Sequence, residues 1–156
     1  MKPKIFLGAD HAGFELKEEV KKYIQKLGYG VEDRGAFRLD AEDDYPDFIS
    51  AAAKEVAKNL DNHKGIIFGG SGQGEAIVAN KIKGIRAAVF NSDNLDIAKL
   101  SRLHNDANIL SIGARFVSKE TAFRAIKLWL ETDFSNETRH KRRLRKIEDL
   151  EKKLYR

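Results

Sequence analysis

The 156-residue chain is long enough for one domain with a sizeable core, and 42% hydrophobic with 34% charged residues is typical of a soluble globular protein. It contains no cysteine, which excludes a disulfide framework, a cysteine-ligated zinc site and a cysteine nucleophile. Since no apolar segment approaches the roughly 20 residues of a membrane-spanning helix, we expect no membrane partner and a cytoplasmic location.

The net charge of +5 comes from the segment 136–156, which carries nine Lys/Arg residues against four Asp/Glu residues. A basic helix can bind nucleic acid, but the segment has one aromatic residue, Tyr155, and therefore no platform on which bases could stack. We expect no nucleic-acid partner. We interpret the basic residues as a solvated helical face that leaves room for a site for a small anion.

Short apolar runs alternate along the chain with segments whose apolar residues recur at helical spacing. Pro46 suits the start of a helix, and Ser92 is placed to cap another one. In chain order the predicted elements are strand 4–8, helix 14–27, strand 31–33, helix 46–60, strand 65–68, helix 75–81, strand 86–90, helix 93–103, strand 108–112, helix 118–131 and a charged helix within 136–156.

Five strand–helix units with short connections predict an α/β protein with a three-layer, Rossmann-like, doubly wound fold. A five-stranded parallel sheet would be covered on both faces, and the C-terminal helix would follow it in a single domain, 1–156. Ligands of such sheets bind at the carboxyl ends of the strands. The polar residues and glycines at those ends are Asp10, His11, Asp33, Arg34, Gly69 to Gly74, Asn91, Ser92 and Gly113 to Arg115.

The third strand is followed by Gly-Gly-Ser-Gly-Gln-Gly and then by an acid, Glu75. The glycines at 70, 72 and 74 let the backbone approach a ligand closely, and the start of a helix offers free N–H groups. An acid in a first helical turn is also common for structural reasons, but Ser71 is four residues from Glu75, whereas a capping box needs three. A carboxylate beside several N–H donors suits proton abstraction next to a developing oxyanion.

Further motifs follow in a characteristic order: Asp10-His11-Ala12-Gly13, Asp44-Tyr45-Pro46-Asp47, Gly69 to Lys81, Gly84 to Ala88, Ser101 to Asn108, Gly113-Ala114-Arg115 and Arg139 to Arg143. Together they resemble the ribose-5-phosphate isomerase B family, which also includes galactose-6-phosphate isomerase subunits. The resemblance covers about residues 3–148, nearly the whole chain.

The resemblance implies a metal-independent aldose–ketose isomerase that needs no organic cofactor and works through an enediolate. Its expected substrate pair is D-ribose 5-phosphate and D-ribulose 5-phosphate. Galactose 6-phosphate, allose 6-phosphate and a tetrose 4-phosphate stay open as alternatives. The loop 36–44 is about one residue longer than is usual in the family, and Glu137-Thr138 stand where glycines often precede the Arg-His pair.

In many members of the family the base is a cysteine at the end of the third strand, where this chain has Gly69. The chain resembles a branch in which a glutamate after the glycine turn is the base, which implies this role for Glu75. The resemblance further implies His104 as the acid and base that opens the sugar ring, with Asp10 as its assistant. Ser71 and the N–H groups of the turn, at Gly70, Gly72 and Gly74, would hold the enediolate.

The remaining implied roles concern binding. The implied phosphate ligands are His11, Arg139 and Arg143. Tyr45 and Asn105 are implied to position the sugar, whereas Asn80 and Arg115 are candidates for substrate contact that could equally tie a loop or form an ion pair at an interface. Arg139 and Arg143 are four residues apart and share a helix face, so two guanidinium groups could converge on one phosphate.

The resemblance also implies a homodimer or a dimer of dimers with the active site at the subunit interface and the C-terminal helix packed on a partner subunit. Two other classes of protein share part of this pattern. A signalling receiver module needs an aspartate after the third strand and a lysine after the fifth, where Gly69 and Arg115 stand. A non-catalytic module that binds a sugar phosphate would keep the basic helix without requiring Glu75 or His104.

Overall fold

The computed structural model describes residues 1–155. Within them the chain alternates between strands and helices, and two helices end it. The strands are β1 (Lys4–Ala9), β2 (Val31–Asp33), β3 (His63–Gly69), β4 (Ala87–Phe90) and β5 (Ile109–Gly113). The helices are α1 (Phe14–Lys26), α2 (Tyr45–Ala57), α3 (Gln73–Ala79), α4 (Leu95–Asn105), α5 (Lys119–Glu131) and α6 (Thr138–Leu154).

The five strands form one parallel sheet in the order β2-β1-β3-β5-β4. Alternate residues of each strand point to opposite faces, and helices bury both faces. On one face Phe68 and Leu110 pack with Ile24 of α1 and Trp129 of α5. On the other face Ile67 packs with α2 and α3. The predicted three-layer α/β fold with a five-stranded parallel sheet is confirmed.

The strand order explains where a ligand would bind. The chain leaves β1 toward β2 on one side and leaves β3 toward the opposite half of the sheet. A crevice therefore opens between the carboxyl ends of β1 and β3, the position at which open α/β sheets bind their ligands.

Helix α4 begins two residues later than the sequence predicts. Its N-cap is Asn94, whose side-chain oxygen accepts a hydrogen bond from the backbone N–H of Asp96. The prediction of Ser92 as the cap is wrong, because the Ser92 hydroxyl instead accepts from the N–H of Asn94 and shapes the turn before the helix.

Helix α6 lies along the amino-terminal edge of the sheet. His140 and Leu144 are buried, and the Glu151 carboxylate accepts a 2.8 Å hydrogen bond from the backbone N–H of Gly84. Further along, Ile147 and Leu150 of its apolar stripe are at least half exposed. The helix is therefore anchored at a few points and presents apolar surface. Across residues 1–155, every helix is too short or too polar to cross a lipid bilayer.

Candidate active site

Two polar segments meet at the crevice between β1 and β3. Asp10 and His11 directly follow β1, and the glycine turn directly follows β3. The turn reverses at Gly72, whose φ of +79° is a left-handed conformation that glycine adopts without strain. A Cβ at this position would also lie 2.9 Å from the carbonyl oxygen of Ser111, so a larger residue would disturb β5. This turn directs the first residues of α3 back over the end of β3.

Glu75 points back from α3 onto the end of β3 and is only 4% exposed. A Cβ atom added at Gly69 would overlap the Glu75 carboxyl group. The carboxylate therefore occupies the space that a side chain at position 69 would need. The absence of a side chain at Gly69 and the presence of the acid at Glu75 are two parts of one packing arrangement.

Burial raises the pKa of Glu75 above its ordinary value, and the negative charge of Asp10 raises it further. Backbone N–H groups, including that of Gly72, stabilise the carboxylate and oppose part of this rise. A carboxylate with a raised pKa is a stronger base than one in water. The environment of Glu75 thus suits abstraction of a proton near neutral pH.

The side chains of Tyr45 and Arg115 lie against two glycines of the turn. A Cβ at Gly74 would lie 2.9 Å from the Tyr45 hydroxyl oxygen, and one at Gly70 would lie 3.1 Å from Nη1 of Arg115. The Arg115 backbone N–H also donates to the carbonyl of Gly70 at 3.0 Å. Ser71 is partly exposed between them. All five residues therefore lie around the same crevice.

Asp10 is 7% exposed and its orientation is set locally. Its Oδ1 accepts hydrogen bonds from the backbone N–H groups of Ala12 at 3.0 Å and Gly13 at 3.3 Å. These two bonds hold the carboxylate at the start of α1 and near Glu75. Two acids thus share the crevice.

Sequence reasoning missed one residue of this site, Asp43. Its Oδ1 lies 2.7 Å from Nδ1 of His11 and accepts the His11 backbone N–H at 2.9 Å. The hydrogen bond that the His11 ring donates to Asp43 raises the pKa of His11, although partial burial opposes it. The motif Asp44-Tyr45-Pro46-Asp47 begins one residue after Asp43, so the signal available for Asp43 was only an acidic loop of unusual length.

Asp10, His11 and Asp43 each place a possible ligand atom within 4.8 Å of the others. A divalent ion could in principle use such a spacing. However, Nδ1 of His11 and Oδ1 of Asp43 are already hydrogen-bonded to each other. We interpret the group as an ion pair next to Asp10 and assign it no metal.

The other predicted site residues form a second group at the amino-terminal edge of the sheet. His104 and Asn105 end α4, and the start of α6 brings Arg139 and Arg143 to the same edge. The ring of His104 lies 4.4 Å, centroid to centroid, from the ring of His140. Both arginines are exposed, and Arg139 pairs with Glu137 at 2.8 Å.

His140 supports His104 from the protein side. Its Nδ1 lies 2.6 Å from the Ser135 hydroxyl, which fixes the ring, and burial lowers the pKa of His140. A buried imidazole, held by the Ser135 hydroxyl, therefore packs against His104. Sequence reasoning noted His140 only as part of a basic motif.

The two groups are separated by the length of the sheet. Glu75 lies at the carboxyl end of β3, whereas His104 lies beside the amino end of β5, a distance on the order of 15 Å for a five-residue strand. The chain therefore brings together Asp10, His11, Tyr45, Ser71, Glu75, Arg115 and the glycines of the turn. It does not bring His104, Asn105, Arg139 or Arg143 to them.

Asn80 belongs to neither group. Its side chain donates to the carbonyl of Ala87 at 3.0 Å and accepts from the Ala87 N–H at 2.8 Å. Both polar atoms of the carboxamide are thus used to join the end of α3 to the exposed edge strand β4. We correct the expectation of substrate contact and assign Asn80 a structural role.

Comparisons with known proteins identify the family and confirm the fold. The model of a family described as Ribose/Galactose Isomerase matches residues 5–147. The chain is 41% identical over 141 residues to ribose-5-phosphate isomerase B of Mycolicibacterium paratuberculosis. The aligned region covers 90% of this chain and 87% of that protein.

Two solved structures show the same fold over their whole length. Ribose-5-phosphate isomerase B of Mycoplasma genitalium, with bound ribulose-5-phosphate, matches with a TM-score of 0.92 and 38% identity over 97% of this chain and 98% of that chain. The Clostridium thermocellum ribose-5-phosphate isomerase B matches with a TM-score of 0.89 and 41% identity over 97% and 99% of the two chains.

Proposed function

Because the chain belongs to the ribose/galactose isomerase family, we propose that it interconverts D-ribose 5-phosphate and D-ribulose 5-phosphate. Relatives about 40% identical over most of the chain are named for this activity, and one solved relative holds ribulose-5-phosphate. The observation in this chain that carries the proposal is the buried carboxylate of Glu75, which has a raised pKa and occupies the space above Gly69.

Glu75 is the base that moves a proton between carbons 1 and 2 of the open sugar. The reaction passes through an enediolate, whose negative charge needs hydrogen-bond donors. The backbone N–H groups of Gly70 and Ser71 make no hydrogen bond to any acceptor of residues 1–155, so they are free to bind that oxygen. Asp10, held by the start of α1, assists at the ring oxygen.

The sugar phosphate is bound by cations on both sides of the crevice. His11 and Arg115 lie at the carboxyl-terminal edge in the same chain as Glu75. Tyr45 positions the sugar between them and the base. The ring-opening acid, His104, and the phosphate ligands Arg139 and Arg143 lie at the opposite edge of this chain.

Both halves of the site come together when two copies of the chain associate. A symmetric dimer can place His104 of the partner subunit against the crevice that holds Glu75, and the reverse, because a two-fold interface uses each surface twice. Helix α6 supports this arrangement: Leu150 and Leu154 are exposed beside a hollow of about 410 Å³ along the edge strand β4. We propose that the second copy covers this apolar surface, either in a dimer or in a dimer of dimers.

Turnover of purified protein tests the proposal. The protein is incubated with D-ribose 5-phosphate, D-allose 6-phosphate, D-galactose 6-phosphate and D-erythrose 4-phosphate, and each ketose product is measured. We expect the highest kcat/KM with ribose 5-phosphate, and in D₂O the product should carry solvent deuterium, because a base exchanges the proton. A higher kcat/KM for a six- or four-carbon sugar would replace the proposed substrate. Binding of all four without turnover would indicate a non-catalytic module.

A further inference from the structure

We infer that Asp43 is a positioning residue that holds His11 as the cation for the substrate phosphate. The inference rests on the proposed function, because it assigns a task to one part of the proposed site. Asp43 lies in the loop between β2 and α2, and it reaches His11, 32 residues earlier in the chain. A single oxygen, Oδ1, meets both the backbone N–H of His11, at 2.9 Å, and Nδ1 of its ring, at 2.7 Å.

These two hydrogen bonds define the orientation and the tautomer of His11. The bond to the backbone N–H fixes the start of the segment after β1, and the bond to the ring places a proton on Nδ1. Nε2 is then the ring nitrogen left for a ligand. The ring is 32% exposed, so an anion can reach it from the crevice. A carboxylate that orients a histidine in this way also makes the ring more basic.

The environment of Asp43 requires a cation beside it. Its side chain is only 7% exposed, and Oδ2 is buried with no hydrogen-bond partner among residues 1–155. A carboxylate that is largely removed from water needs a positive charge at hydrogen-bond distance. His11 is the group at that distance from Asp43, so the pair favours the imidazolium form of His11.

Three charged groups face His11. The hydrogen bond that His11 donates to Asp43 is the strongest influence that raises the pKa of His11. The negative charge of Asp10 adds to this rise, and the positive charge of Arg115 acts against it. Partial burial also lowers this pKa, by less than the Asp43 bond raises it. The balance keeps His11 positively charged to a higher pH than a histidine in water.

The loop that carries Asp43 is anchored near its start. Nζ of the buried Lys17 donates to the carbonyl of Ala36 at 2.6 Å and to both oxygens of Asp33 at 2.7 Å. The loop closes with a hydrogen bond from the Asp43 N–H to the carbonyl of Asp40. Asp43 is therefore presented to His11 by a loop that is anchored at its start and contains a hydrogen-bonded turn at Asp40–Asp43.

This arrangement has a kinetic consequence. A phosphate dianion binds an imidazolium more tightly than a neutral imidazole. The KM for ribose 5-phosphate should therefore be low while His11 is protonated and should rise as the pH rises through the raised pKa of His11. The kcat should respond little, because the phosphate is held in the ground state and in the transition state alike.

The decisive variant is Asp43→Asn, which keeps the shape of the side chain and removes its charge. The matched control is Asp40→Asn, because Asp40 lies in the same loop and is 41% exposed without contacting His11. For both variants we would measure kcat and KM from pH 6 to pH 9. The ring proton signal of His11, assigned by its loss in His11→Asn, would be titrated by NMR without substrate.

In Asp43→Asn we expect the His11 titration to move to lower pH. At a pH between the titration midpoints of the two proteins, KM should rise by about three- to tenfold, with kcat within about twofold of the wild-type value. Asp40→Asn should change neither the His11 titration nor the pH dependence of KM. An unchanged His11 titration in Asp43→Asn would overturn the inference, and so would a fall in kcat at constant KM.

The wild-type protein supplies a test that does not depend on the folding of any variant. His11 must titrate above the ordinary value of about 6.5 for histidine, and KM must rise over the same pH range. A failure of the proposed function looks different: the protein would lack isomerase activity while the His11 titration still responded to Asp43→Asn.

Discussion

At the scale of single residues, the role proposed for the buried carboxylate of Glu75 predicts effects on both activity and stability. Glu75→Gln removes the proposed base but keeps the shape of the side chain, so kcat should fall by about 10²- to 10⁴-fold with a small change in KM. Steady-state kinetics with ribose 5-phosphate check this. A kcat within threefold of the wild-type value, which corresponds to a change of about 0.6 kcal/mol in the activation free energy, would show that Glu75 is not the base.

The same variant should be more stable at neutral pH. Folding raises the pKa of Glu75, so the folded state favours the protonated form, and stability is lost as the pH rises through the folded-state value. Glutamine carries no such cost. The Tm of Glu75→Gln should exceed that of the unchanged protein at pH 8, and the difference should vanish near pH 4. A lower Tm at pH 8 would show that the charge is well stabilised where it lies.

Gly69 should be as important for activity as the base itself. In Gly69→Ala the new methyl group would displace the Glu75 carboxylate, so we expect a loss of kcat of about 10²-fold, because the base is misplaced. Gly30→Ala is the matched control, since its Cβ would meet nothing closer than Lys4 Cγ at 4.0 Å. Equal kinetics for the two variants would contradict the packing described for Glu75.

Part of the site was accessible from the sequence, and the reasons are local. Asp10, Gly70 and Glu75 stand next to strand ends, so the strand pattern alone brings them to one crevice. Asp43 was not found because its contact with His11 depends on the path of a loop, which has no periodic pattern. Substrate contact and a structural tie both stayed open for Asn80, because the sequence does not show that Ala87 of the edge strand would use both polar atoms of the Asn80 side chain.

At the scale of elements, the buried Lys17 joins helix α1 to the end of β2 and to the loop that follows. Lys17→Met would keep the apolar stem but leave Asp33 and the Ala36 carbonyl without their shared donor, and we expect a loss of about 3 kcal/mol in the free energy of unfolding. Urea unfolding measures it.

Lys22→Met is the control for that experiment, because Lys22 lies on the same helix and its side chain is 67% exposed. Its Nζ is 3.9 Å from Oε1 of Glu19, which is a loose ion pair. An exposed pair of this kind contributes less than about 1 kcal/mol. Equal losses in the two variants would show that burial does not set the strength of the Lys17 contacts.

The bounds of the elements could be predicted to within a few residues, and the deviations have tertiary causes. Strand β3 begins at His63 because that residue pairs with Lys4 of β1, which polar character alone would not indicate. Helix α2 ends at Ala57 although the apolar pattern continues to Leu60. Helical periodicity gives the buried face of a segment, but the pairing of neighbouring strands and the caps decide where each element begins and ends.

At the scale of the whole molecule, the division of the proposed site predicts complementation between two inactive variants. Glu75→Gln and His104→Asn should each be inactive alone. In a mixture that exchanges subunits, half of the dimers would contain one of each, and one of the two sites in such a dimer would have both native residues. Activity should recover to about a quarter of the unchanged protein.

To test this arrangement, the two variants are mixed, their subunits are dissociated and reassociated, and the isomerase activity is measured. Glu75→Gln treated alone in the same way is the control. Recovery requires that Glu75 and His104 act from different chains. No recovery after verified exchange of subunits would place both residues in the same chain and would contradict the arrangement proposed from the two edges of the sheet.

Because Glu75 and His104 lie at opposite edges of one sheet, the activity should also depend on the concentration of the protein. If every working centre needs two chains, a lone copy turns over nothing, however well it is folded. The rate at low amounts of protein would then scale with the square of the chain concentration, and a cell producing few copies would have less catalysis than their number suggests.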